Sequence, residues 1–343
     1  MTQCNTIGID LAKQVFQVHV NNPSGRTISS RKLKRTQVMD FLRQQPASLV
    51  AMEACAGSHY WARVASSMGH QVKVIHPAYV KPFVQLHKND QRDAQAIAEA
   101  AVRPNIPSVS VKAEEQLDIQ MIHRVRERLV REKVSIGNEI RSILLEYGIA
   151  IGKGQSILKK QMASLLENAE NGLSIRCRHI LSDLMEQWYE REKRILQYDK
   201  ELQTVARNNE PCQRLQSIPG IGPVNATLLL SLAGDAKHFR SARCFAAYLG
   251  LVPRQHASGG REQLLGITKH GNKHARKQLV HGARSAYLAL IKNPDKSALG
   301  RWVQRLEGKH VNKIVVALAN KLARIAWAIL SKGVVYQAEI RPA

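Results

Sequence analysis

The first hundred residues alternate short apolar runs with turn-forming and helical segments. Residues 5–10 (NTIGID) form an apolar run, and residues 15–20 (VFQVHV) alternate apolar with polar positions before the turn sequence Asn21-Asn22-Pro23-Ser24-Gly25. That pattern belongs to two strands joined by a tight connection. Residues 27–33 complete a three-stranded meander. Residues 36–44 then read as a helix, 48–52 as a buried strand, 57–68 as a helix, 71–75 as a fifth strand ended by Pro77, and 94–101 as a further helix. The order is β-β-β-α-β-α-β-α. Three antiparallel strands followed by two reached through α/β crossovers is the order of a ribonuclease-H-like sheet, whereas a doubly wound nucleotide-binding fold alternates from its start. Neither a G-x-G-x-x-G nor a Walker loop is present in this stretch.

The pattern then changes period. Between 114 and 147, Ile122, Val125, Leu129, Ile136, Ile140 and Ile143 keep one apolar stripe on a charged helix. A second long helix carries Cys177, Leu181, Leu184, Trp188, Ile195, Tyr198, Leu202 and Val205 in 4-3 alternation, with Arg191 in the one slot that lacks an apolar residue. Such helices pair with each other or with another subunit, and heptads alone leave the partner open. Gly148, Gly152 and Gly154 break the chain between them. Near the end, Ile314, Val315, Leu318, Leu322, Ile325, Ala326 and Ile329 form an apolar face with Lys313, Lys321 and Arg324 outside it, which predicts a packed helix. Lys321 and Arg324 also exclude a membrane span over 314–330, because charges at a bilayer centre are costly.

A length of 343 residues with 44% hydrophobic content supports two or three domains with buried cores and excludes a disordered chain. Lys and Arg number 51 against 27 Asp and Glu, a formal charge of +24 that points to an acidic partner, foremost a nucleic acid. The charge is uneven. Residues 251–343 hold 17 basic against 4 acidic residues, a net +13, whereas residues 1–150 hold 20 against 13, only +7. The C-terminal part therefore reads as a polyanion clamp and the N-terminal part as the carrier of the carboxylates. The N-terminus runs into a strand pattern without a basic n-region and an apolar h-region, so a standard secretion signal is not expected. Cys4, Cys55, Cys177, Cys212 and Cys244 are widely spaced with no C-x-x-C pair, against a disulfide framework or structural zinc. His270 and His274 stand four apart, but Gly271 and the surrounding Lys269, Lys273, Arg276 and Lys277 favour a solvated or phosphate-facing surface over a metal site.

The chemistry centres on four carboxylates. Asp10 closes the first strand and Glu53 the fourth, and these strands are neighbours in a ribonuclease-H-like sheet, so acids 43 positions apart can converge. Asp90 and Asp93 stand at the start of the following helix, three apart and so on one face. Four carboxylates around one point repel unless divalent cations lie between them, and hard oxygen ligands suit Mg²⁺ or Mn²⁺. Two such ions about 4 Å apart suit in-line phosphoryl displacement. Each acid taken alone is also an ordinary helix cap, helix-end charge or solvated strand end.

A second constellation begins with Ser217-Ile218-Pro219-Gly220-Ile221-Gly222-Pro223 before an apolar helix over 224–232, and it resembles a helix-hairpin-helix. Gly220 and Gly222 allow a tight turn, and backbone N–H groups at the next helix start can bind phosphate without reading sequence. Downstream, Ser258 sits in a glycine-rich basic loop with Arg254, Arg261 and Lys269 available to phosphate charge. A serine hydroxyl attacks phosphorus if positioned and deprotonated, yet a serine beside glycines is more often a turn residue, and spacing alone favours the turn.

Taken together, Gly8-Ile9-Asp10, Met52-Glu53-Ala54, Asp90-Gln91-Arg92-Asp93-Ala94, Ile218-Pro219-Gly220-Ile221-Gly222, Gly250-Leu251-Val252-Pro253 and Ser258-Gly259 resemble, in order and over nearly the whole chain, the transposases of insertion sequence family 110, subgroup 1111. The resemblance implies an α/β plus α chain. Residues 1–112 would be a RuvC-like domain, 113–207 a long-helix, coiled-coil region, and 208–343 a mainly helical C-terminal transposase domain. It implies that Asp10, Glu53, Asp90 and Asp93 are an acidic tetrad binding Mg²⁺, with Mn²⁺ acceptable, and that Ser258 is a nucleophile. It further implies a bridge RNA that pairs with donor and target DNA, and a homo-oligomer, dimer to tetramer, whose active site joins the acidic domain of one subunit to the serine domain of another. A cytoplasmic, nucleoid-associated bacterial enzyme is expected, with no membrane partner. Two other readings remain at this stage: a junction-resolving nuclease that uses only the tetrad, and a non-enzymatic nucleic-acid-packaging protein. Clustered carboxylates without metal would weaken polyanion binding and so speak against the latter.

Overall fold

The computed structural model describes residues 4–84, 90–258 and 260–339, and the side chains of Asp90, Ala257, Ser258 and Arg261 lie outside the description. The chain forms two compact units, Met1–Ala113 and Glu114–Ala343.

The first unit is a mixed α/β layer structure. Its strands are β1 (Thr6–Asp10), β2 (Val15–Asn21), β3 (Thr27–Lys34), β4 (Leu49–Glu53), β5 (Gln71–Ile75) and β6 (Ser108–Val109), and its helices are α1 (Val38–Gln44), α2 (Ser58–Ser67), α3 (Pro77–Val80) and α4 (Asp90–Ala101). The sheet order is β3-β2-β1-β4-β5-β6. β1 pairs antiparallel with β2 and parallel with β4, and β4 pairs parallel with β5. The three-strand meander followed by two crossover strands is the expected arrangement. The two-residue β6, antiparallel to β5, was not expected, being too short to carry a period.

Alternation along the strands divides the two faces. Ile7, Ile9, Phe16, Val18, Val50 and Met52 turn toward Phe41, Leu42, Trp61 and Ala65 of α1 and α2, whereas Ala51 packs with Ile97 and Ala100 of α4 on the other side. With both faces covered, β2 is buried from Phe16 to Asn21, including His19. His19 Nε2 makes a 2.9 Å hydrogen bond with Asn21 Oδ1.

Among its described residues, the regular elements of the second unit are helices and one hairpin. It comprises α5 (Glu114–Glu146), α6 (Gln155–Glu167), α7 (Ile175–Asn208), α8 (Glu210–Gln216), α9 (Pro223–Ala233), α10 (Ala242–Tyr248), β7 (Pro253–Ser258), β8 (Arg261–Ile267), α11 (Lys273–Leu290), α12 (Ala298–Gln304) and α13 (Val311–Lys332). The helix starts follow the sequence. Ser174, Asn209, Ser241, Asn272 and Ser297 each accept a backbone N–H from their own first turn. α5 and α7 pair within the chain, and Ile140, Leu144, Leu181 and Trp188 form their core with Leu158 and Met162 of α6, a helix the glycine break had concealed. The buried line of α5 differs from the expected stripe in its first half. Ile119 and His123 are buried, whereas Ile122 and Val125 are half-buried, because this part of α5 packs against α9 as well as α7. Arg191 occupies its apolar slot opposite a carboxylate, with Nε 3.6 Å from Glu132 Oε2.

The second core is centred on α13, where Ile314, Val315, Leu318, Leu322, Ala326 and Ile329 are buried among α8, α10 and α11. α13 is the one described helix long and apolar enough to cross a membrane, and half of its apolar window is buried in this core. Packing is the expected outcome for its apolar face.

Candidate functional site

The acidic pair is built by the register of two strands. Gly8 of β1 lies opposite Ala51 of β4, and the last register pair is Ile9 with Met52, so the next residues, Asp10 and Glu53, end adjacent parallel strands side by side. Because side chains alternate, both carboxylates share the face of Gly8 and Ala51, on which α4 packs. The packing is close. A Cβ on Gly8 would lie 2.2 Å from Ala94 O and 2.7 Å from Ala98 N, so the strand admits the helix backbone only because it carries no side chain there.

That contact fixes where the other two acids stand. α4 begins at Asp90 itself, so Asp90 is the first helical residue and not a cap before a helix starting at Ala94. Acidic residues in a first turn are favoured by the helix dipole, which accounts for the earlier start. Asp93 is half-buried and immediately precedes Ala94, the residue seated on Gly8. The Asp90 side chain lies outside the described residues.

The fields of Asp10 and Glu53 meet at Cys55, an exposed cysteine two residues beyond β4. Burial pushes its thiol up, and the neighbouring Glu53 and Asp10 push it further in the same direction. A thiol so placed stays protonated near neutral pH and is a poor ligand beside hard carboxylate oxygens. The donor set fits a hard divalent cation. Among the described residues no three His, Cys, Asp or Glu side chains gather closely enough to hold a metal ion, so the described part of the site is an acidic pair with Asp93 on the helix beside it.

The second candidate centre lies in the other unit. The stretch read from sequence as a loop is a β-hairpin. β7 and β8 pair antiparallel, and the register ends at Ser258 opposite Arg261; Gly259, between them in sequence, lies outside the described residues. Two adjacent glycines in the sequence between paired strands favour a hairpin. The alternation of the strands was hidden because the described residues 253–256 and 262–266 are exposed on both faces. Backbone places Ser258 and Arg261 at the hairpin tip, their side chains being outside the description, and Arg254 stands exposed on β7. Lys269, exposed with φ of 58°, lies at the foot, where its N–H donates to Gly250 O at 3.2 Å and Thr268 N–H donates to Val252 O at 2.9 Å.

The glycines of the helix-hairpin-helix-like segment have unequal surroundings. Gly220, with φ of 82°, is pressed against α11, where a Cβ would lie 2.3 Å from Gly282 O, and Asn225 Nδ2 ties the turn to Gln278 O at 3.2 Å. Gly222 is exposed and caps α9, with open space where its Cβ would be.

The histidine pair also separates. His270 is exposed, as expected, but His274 is half-buried among α5, α9 and α11, which corrects the surface reading. Its Nδ1 lies 3.1 Å from Glu127 Oε2, and Glu127 Oε1 takes Lys277 Nζ at 2.6 Å. Next to it the buried His123 Nε2 is 3.0 Å from Thr227 Oγ1, which donates its own proton to Pro223 O at 2.8 Å. His123 is therefore the donor in that bond, a neutral Nε2–H ring. Burial, then His274 and Arg126, lower its pKa to about 3. The sequence offered no signal for this cluster beyond helical spacing on three separate segments.

Residues 212–298 match the family model described as Transposase IS116/IS110/IS902 family. Residues 7–149 match one described as Transposase, of the DEDD type of IS110. A probable family 20 transposase of Pseudomonas aeruginosa is 44% identical, with 96% of this chain and 98% of that protein covered. The transposase for insertion sequence element IS1111A of Coxiella burnetii is 41% identical over 98% of this chain and 92% of its own. A more distant relative, the pilin gene-inverting protein of Moraxella lacunata, is 23% identical over 94% of this chain and 95% of its own.

Proposed function

The chain belongs to the IS110 family of transposases, enzymes that cleave DNA, and we propose that it moves its insertion sequence by RNA-guided strand cleavage and exchange through a phosphoserine intermediate. In this reading residues 1–112 are a RuvC-like domain whose Asp10, Glu53, Asp90 and Asp93 hold Mg²⁺ or Mn²⁺, residues 113–207 are the long-helix region, and residues 208–343 carry the nucleophile Ser258. The observation that carries the acidic half is the β1/β4 register, which ends two carboxylates next to each other on the face covered by α4. A divalent ion there supplies Lewis-acid polarisation of the scissile phosphate and offsets the developing negative charge.

The protein residues have distinct tasks. Asp10 and Glu53 orient from rigid strand ends, and Asp93 from a helix locked to β1 by the Gly8 contact. Ser258 Oγ forms a bond to phosphorus as the bond from phosphorus to the leaving sugar oxygen breaks. The serine proton is lost, the sugar oxygen gains one, and the phosphoester is conserved. The gene-inverting relative favours exchange over hydrolysis, since inversion requires both cut strands to be rejoined and a covalent ester keeps the bond that water would consume. A bridge RNA, and an oligomer in which the tetrad of one subunit serves Ser258 of another, belong to this reading through the family resemblance. Arg254, Arg261, Lys269 and the Gly220–Gly222 turn are its phosphate contacts.

The test is strand cleavage with purified protein, its RNA and DNA substrates. Asp10→Asn is expected to lower Mg²⁺-dependent cleavage by at least about a hundredfold, on the order of 2.7 kcal/mol of barrier, while DNA binding is kept. Undiminished cleavage in EDTA would refute the metal assignment, and cleavage that survives Ser258→Ala and leaves hydrolysed ends would replace the recombinase with a metal-dependent nuclease.

A further inference from the structure

The outer face of α11 belongs to none of the sites above. Ala275, Leu279, Ala283, Ala286 and Leu290 are buried and fix the inner face of this helix. Lys273, His281 and Arg284, spaced by eight and three residues, fall on the opposite side and are exposed. The local charge has one sign. Residues 263–294, 32 positions between Glu262 and Asp295, contain no carboxylate and six Lys or Arg, and α13 has no carboxylate either. A helix face that is only solvated ordinarily mixes both signs.

The two helices meet on this surface. Arg284 Nη2 donates to Asn312 Oδ1 at 2.8 Å, at the start of α13, where Lys309 and Lys313 are exposed. Among the described residues, Lys273, Lys309 and Lys313 have no carboxylate partner, whereas Lys277 is committed to Glu127. Asn272 caps α11 immediately after the foot of the β7–β8 hairpin, so the stripe starts where the strands leading to Ser258 end. At about 1.5 Å per residue its 18 residues extend roughly 27 Å, close to eight base-pair steps.

We infer that the outer face of α11, extended by the start of α13, is a backbone track for the DNA that is delivered to Ser258. The inference rests on the serine reading above for its direction, and on one-sign charge and exposure for its existence. Its contacts are to phosphates, so the track holds DNA of any sequence.

The test compares two triple variants of the full chain: Lys273→Gln/Arg284→Gln/Lys313→Gln on the track, and Lys193→Gln/Arg194→Gln/Lys200→Gln, which removes equal charge from exposed positions of α7. Binding to a fluorescent duplex DNA and to an RNA of equal length is followed by anisotropy across a KCl series. The track variant is expected to bind duplex at least about tenfold more weakly near 0.15 M salt, with the slope of log affinity against log salt reduced by about 2.7, that is, about 0.9 per lost phosphate contact. The α7 variant should change much less, and Lys273→Arg/Arg284→Lys/Lys313→Arg should retain binding. Equal losses in both triples, an unchanged salt slope, or a loss confined to RNA would overturn the track. The outcome is separable from the nucleophile: duplex binding that needs the track in a protein forming no serine adduct would refute only the serine reading, and an adduct made by a protein indifferent to the track substitutions would refute only this one.

Discussion

His123 illustrates how much one side chain can bind stability to pH. In the fold it is a neutral donor to Thr227, with His274 and Arg126 nearby, and its pKa lies at about 3 instead of near 6.5. The unfolded chain therefore takes up a proton below about pH 6.5 that the folded chain refuses until about pH 3, so this contribution is full above that window and is lost as pH falls through it. The loss is about 1.4 kcal/mol per pH unit. Burial lowers the His274 pKa too, which adds in the same direction. Urea unfolding at pH 7, 6 and 5 should give falling stability, and His123→Gln, which keeps a donor for Thr227, should flatten the fall; an equal pH slope in both proteins would contradict the assignment. At Gly8 the constraint is space. Gly8→Ala directs a methyl group into the α4 backbone, with an expected cost of about 1–3 kcal/mol and loss of the placement of Asp93. Wild-type stability in that variant would mean that α4 does not seat on β1 as described. The carboxylates themselves were legible in the sequence, because a strand-ending acid is visible once strand order is inferred. Buried partners such as His123 and Thr227 were not, since 104 positions separate them and neither carries a local signature.

At the scale of elements, periodicity located the sheet strands and long helices, and it failed where a second physical term competed. The first half of α5 packs on two neighbours, which spreads its buried positions beyond a single stripe. α4 starts a turn early because Asp90 and Asp93 suit a helix N-terminus better than they suit a loop. The described residues 253–256 and 262–266 of the β7–β8 hairpin are exposed on both faces, so alternation had nothing to report and only the glycine pair marked it. The α5–α7 pair gives an element-level prediction. Trp188 is 1% exposed, donates from Nε1 to Gln155 Oε1 at 2.8 Å and receives Lys133 Nζ 4.0 Å above its ring. Trp188→Ala should cost about 3–5 kcal/mol through the cavity it leaves, read as a lower urea midpoint. A change below about 1 kcal/mol would show that the three-helix core of α5, α6 and α7 does not depend on it.

For the whole molecule, charge and chemistry are divided between its ends. The less basic first 150 residues hold the carboxylates, and the last 93 hold a net +13 around the hairpin and α11. This division suits the proposed enzyme, which must grip polyanions while keeping its tetrad, since acids repel phosphate until a cation neutralises them. Length, charge and strand order made that division legible. The proposed use of Ser258 as a nucleophile was not legible from its spacing and rests on the family resemblance alone. The central claim is therefore the serine ester. Purified protein would be mixed with Mg²⁺, donor and target DNA, and RNA transcribed from the flanks of the element, then denatured in SDS and examined for a protein–DNA adduct beside the Ser258→Ala variant. The account predicts an adduct that requires the RNA and disappears in the variant. Cleaved DNA without an adduct, unchanged by the substitution, would contradict it.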